Sequence, residues 1–79
     1  MQIPQDFVME KQILIFKTNV SSLAAKNALL LAIEDRFQVD EANLDLDDID
    51  KVLRLVTEED PESLLHFIRS LGTNCSELE

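Results

Sequence analysis

The run Ile13-Leu14-Ile15-Phe16 restricts the folding of this chain more than any other feature. It is apolar at every position and rich in β-branched and aromatic side chains, so it offers no polar face to water. Such a run predicts a strand covered on both faces, and therefore central in its sheet. The chain has 79 residues, enough for one domain. A domain of this size buries only ~60% of the surface that its unfolded form exposes, so association with a second copy would help it.

Asn19-Val20-Ser21-Ser22 interrupts the strand and supplies hydroxyls that can accept from the free amides of a helix's first turn. Residues 23–36 are rich in Ala and Leu and free of Gly and Pro, which predicts a helix. In residues 37–46 the period changes. Ala42, Leu44 and Leu46 alternate with Asn43, Asp45 and Asp47, the pattern of a strand wet on one face. The polar turn Asp47-Asp48-Ile49-Asp50 then returns the chain into a second strand over residues 51–56, making a hairpin.

Asp60-Pro61-Glu62-Ser63 opens the second helix: Asp caps the amides, and Pro takes the first position, where its missing N–H costs nothing. Leu64, Phe67, Ile68 and Leu71 recur at helical spacing, and Gly72 suits the left-handed residue that ends a helix. Residues 73–78 complete the chain as a short strand. Residues 1–10, with Pro4, read as a loose leader from which Phe7, Val8 and Met9 could dock on the single domain of residues 11–79. The order β-α-β-β-α-β predicts an α+β, ferredoxin-like plait. Its four-stranded antiparallel sheet carries two helices on one face and has the first and third strands at its centre.

Charge excludes several functions. The formal net charge is −9, from seven basic and sixteen acidic residues. Nucleic acids and anionic membrane surfaces need clustered Lys and Arg, which are lacking here. Cys75 is the sole cysteine, so it has no internal disulfide partner, and no oxidising compartment is implied. The first residues lack a basic stretch followed by a long apolar one, and the fully apolar run of residues 28–33 is too short to span a bilayer. A cytoplasmic location is expected.

From Ile13 to about Leu78, the element order, the alternating Ala42-Asn43-Leu44-Asp45-Leu46 strand and Gly72 ahead of the last strand resemble the heavy-metal-associated domain of copper chaperones and metal-pumping ATPases. The likeness is closest to a bacterial subgroup in which Lys17-Thr18-Asn19-Val20 stands at the metal loop. That family's loop is Gly-Met-x-Cys-x-x-Cys. The corresponding cysteine positions here are Ser21 and Ala24, or Ser22 and Ala25, depending on register. A serine hydroxyl stays protonated and alanine offers no ligand, so thiolate chemistry with Cu(I) or zinc is absent from these positions. The resemblance implies a metallochaperone-like fold without its metal or any other cofactor.

Other chemistry finds little support. His66 and Cys75 are one imidazole and one thiol, short of the four ligands a structural zinc wants. An EF-hand begun at Asp45 would put Ile49, Asp50 and Val56 at its fifth, sixth and twelfth positions, where an acid or amide, glycine and glutamate are needed. Gly72 is the only glycine, which removes phosphate-cradling loops and glycine-rich oxyanion loops. Glu58 and Glu59 sit in an acidic connection, and a charged linker denies the burial that a general acid needs. A different alternative comes from Ser21-Ser22-Leu23 opening a helix, which resembles the attachment site of acyl carrier proteins and would make Ser22 the modified residue. A metallochaperone with a non-standard site is a further alternative.

Surfaces remain. If Leu14 and Phe16 face the helices, Ile13 and Ile15 face outward beside Val52 and Val56, an apolar patch of the kind that marks an interface. The first helix is also apolar around most of its circumference over residues 28–33. The expectation is a non-catalytic interaction module whose partner is another protein or a second copy of the chain.

Overall fold

The computed structural model describes residues 11–78, so the leader expected over residues 1–10 lies outside the described part. Six elements follow one another: β1 (Gln12–Thr18), α1 (Leu23–Arg36), β2 (Val39–Leu44), β3 (Leu53–Thr57), α2 (Pro61–Ser70) and β4 (Cys75–Glu77). The strands form one sheet in the order β2-β3-β1-β4. Every neighbouring pair is antiparallel. The protein is thus α+β, with β1 and β3 inside and each helix joining two strands that are not neighbours.

Local chemistry sets the helix ends. The Ser22 hydroxyl accepts from the Ala25 amide at 3.1 Å, and the Asp60 carboxylate accepts from Ser63 at 3.2 Å, so each side chain satisfies an amide of its first turn. Pro61 stands at the start of α2 as expected, and Gly72 follows that helix with φ 91°.

Both helices pack on one face of the sheet. Leu14 and Phe16 of β1, Leu53 and Leu55 of β3 and Leu44 of β2 meet Leu29 and Ile33 of α1 and Leu64 and Ile68 of α2 in a single core. Alternation along β1 and β3 turns the remaining side chains to the other face. Near the end of α1, Phe37 packs edge-on against Phe67 at 5.4 Å, and the Arg36 guanidinium lies over the same Phe67 ring.

Three expectations need correction. β1 is central, but it is not covered on both faces: Ile13 is 57% exposed and Ile15 is half-buried. β3 starts at Leu53 rather than at residue 51, because Lys51 has φ 47°, a left-handed conformation that no strand accommodates. β2 ends at Leu44, where the Asp45 carboxylate accepts from the Asp47 amide and starts the acidic turn two residues early. A bulge between Val39 and Glu41 leaves Asp40 as the extra residue on the β2 edge. No helix among the described residues is long and apolar enough to cross a membrane.

Candidate functional site

The positions at which the resemblance would place metal-binding cysteines lie in the first turn of α1 or just ahead of it. Ser21, Ser22, Ala24 and Ala25 are all exposed, and the Ser22 oxygen is engaged in capping. Among the described residues, no three His, Cys, Asp or Glu side chains converge as metal ligands would. His66 stands apart on the solvent side of α2, its side chain 80% exposed and 4.0 Å from Glu62. Cys75 is buried on the short edge strand β4, and burial pushes its thiol up to a pKa of about 11, only partly offset by the nearby Arg69 charge. Such a thiol is a packing group and a poor nucleophile at neutral pH.

The uncovered sheet face has a definite layout. Ile13 lies directly across from Val56, which lies across from Glu41, making one row over three strands. The next row is Ile15, Arg54 and Asn43. Lys17 then faces Ser76 across to β4. Of the four residues expected to form an apolar patch, Ile13, Ile15 and Val56 lie on one face of paired strands, and Val52 lies just ahead of β3, half-buried, with its carbonyl accepting from the Asp45 amide.

Charged residues that the apolar pattern does not reveal frame this patch. Arg54 reaches Glu41 at 3.3 Å, Lys11 reaches Asp40 at 2.9 Å, and Lys17 lies 3.9 Å from Asp50. The hydrogen bond and negative charge of Asp40 raise the Lys11 ammonium above its ordinary pKa. All three pairs are solvent-exposed, so each contributes little to stability, and they remain available to another surface. Lys17 and Arg54 could have been noticed in the sequence, since they share the parity of Ile15 and Val56 on their strands.

The second apolar surface is on α1, where Leu31 is 67% exposed and Leu23 62%. Only Leu29 and Ile33 of that helix are fully buried. Compared with protein family models, with curated proteins and with solved structures, the chain matches none of them.

Proposed function

We propose that this chain is a non-catalytic interaction module, built on a ferredoxin-like plait that resembles a metallochaperone domain without its thiol loop. Its partner is a second copy of itself, docked through the open sheet face. The strand order β2-β3-β1-β4 with both helices on one face supports the plait.

One observation carries the functional reading: an inner strand of the sheet presents Ile13, 57% exposed, next to Val56 and Ile15 on a face that neither helix covers. Apolar surface on the two innermost strands is a poor choice for permanent contact with water. The charges around it make the face self-complementary. Glu41 lies in the row of Ile13, and Arg54 lies in the adjacent row. A two-fold axis between two such faces, running along the rows, sets the acidic row of one copy over the basic row of the other.

The carrier reading at Ser22 fits less well. Its hydroxyl oxygen is occupied at the helix cap, and strand β1 occupies the chain ahead of it. Native mass spectrometry of the untagged protein from its own host tests the proposal. A metal-free, unmodified dimer is expected. A stoichiometric copper or zinc ion, a phosphopantetheine-sized adduct on Ser22, or a monomer would overturn it.

A further inference from the structure

At one end of the sheet, the last residues of β1 meet the turn that follows α2. Lys17, Arg69, Thr73, Asn74 and Ser76 line a cavity of about 540 Å³ there. The chain is strongly acidic, with a formal net charge of −9, yet among the described residues the lining of this cavity includes two basic side chains and no acidic one.

The cations are held in different ways. The Arg69 Nε donates to the Cys75 carbonyl at 2.9 Å, which fixes the guanidinium beside β4 and leaves both terminal nitrogens without a partner among the described residues. Among the described residues, Lys17 pairs with Asp50 at 3.9 Å, the outer limit of an ion pair. The turn itself is tied down: the Asn74 amide donates to the Asn19 side chain at 3.2 Å, and Gly72 adopts φ 91°. Of the last α2 carbonyls, those of Ile68 and Arg69 accept from the amides of Leu71 and Gly72. The hydroxyls of Thr73 and Ser76 and the carboxamide of Asn74 have no hydrogen-bond partner among the described residues.

We propose that this cavity binds a small oxyanion, a phosphate or carboxylate group held between Arg69 and Lys17. A guanidinium anchored through Nε presents a planar pair of donors that matches two oxygens of such a group, and an ammonium adds a point charge from the side. The surrounding hydroxyls and carboxamide supply neutral donors. The net negative charge of the chain opposes the binding of an anion. Screening limits that opposition, because the Debye length at physiological salt is only ~8 Å, whereas the two cations line the cavity itself.

The test is an NMR titration of the full-length, ¹⁵N-labelled protein with inorganic phosphate, repeated with acetate, each compared with sodium chloride at equal ionic strength. Saturable amide shifts confined to residues 17–18 and 72–76 are expected, and the anion that saturates identifies the group bound. Lys17→Gln and Arg69→Gln should each weaken binding about tenfold, the loss of one charge-assisted contact. Lys17→Gln alters an exposed side chain, so it keeps the test informative if Arg69→Gln fails to fold. Ile13→Asp should leave the titration unchanged, which separates this site from the sheet-face reading. Shifts no larger than those with chloride, or equal affinity in the Lys17 variant, would overturn the proposal.

Discussion

Thr57 and Gln38, nineteen residues apart in the chain, are joined by a 2.6 Å hydrogen bond in which the buried Thr57 hydroxyl donates to the Gln38 carbonyl. The same oxygen accepts from the Glu59 amide at 3.0 Å, so one side chain closes both the entry to β2 and the exit from β3. Thr18 plays the matching part at the other end of the sheet. It donates to the Lys51 carbonyl at 2.6 Å and accepts from the Val20 amide at 3.2 Å. Thr57→Val keeps the shape of the side chain and removes both bonds, leaving a carbonyl and an amide to find new partners. The expected cost is about 1–3 kcal/mol. Urea unfolding should give a lower midpoint at an unchanged slope; an unaltered midpoint would mean that water replaces the hydroxyl at no cost.

Gly72 should be replaceable in one respect and not in another. A Cβ added there would meet no atom within 4 Å, so no clash is expected. Its φ of 91° nevertheless lies in a region that disfavours L side chains, at a cost of roughly 1–2 kcal/mol. Gly72→Ala should destabilise by about that amount, and Gly72→Asn by less, because Asn tolerates left-handed geometry. Thermal melting of the two variants checks the order. Equal melting temperatures for wild type and Gly72→Ala would contradict it.

The Cys75 thiol supplies a pH dependence with a definite sign. Folding raises its pKa from 9.0 to about 11, so the folded state favours the protonated thiol. The resulting stabilisation is complete below the unfolded value and is lost as pH rises through the folded one. The advantage of wild type over Cys75→Ala in urea midpoint should therefore shrink between about pH 9 and about pH 11. Alkylation of native protein by iodoacetamide at neutral pH should also be far slower than in urea. A pH-independent gap and fast native labelling would both contradict this account.

Both helices were legible because their ends are written in side chains: Ser22 and Asp60 cap their first turns, and α1 runs over the residues that composition suggested. The inner position of β1 was expected from its apolar run, but on the ground that both faces are covered, whereas Ile13 and Ile15 lie on the open one. The start of β3 did not follow, because nothing in the alternation around Lys51 announces a left-handed backbone. The candidate surface was half readable. Strand parity groups Ile13, Ile15 and Val56, but the framing of that patch by Glu41 and Arg54 depends on the register of β2 against β3, which periodicity within one strand does not contain. That Lys17 and Arg69 line one cavity is more remote still, since it depends on where the turn after α2 lies against the end of β1.

Sedimentation velocity over a range of concentrations, on wild type and Ile13→Asp, tests the central claim most directly. Ile13 is 57% exposed and its partner across the strands is Val56, so an aspartate there leaves the core intact while charging the middle of the proposed interface. The wild type should sediment as a dimer and dissociate on dilution, and Ile13→Asp should be a folded monomer throughout. A wild type that remains monomeric at every concentration, or an Ile13→Asp dimer as tight as wild type, would contradict self-association through this face.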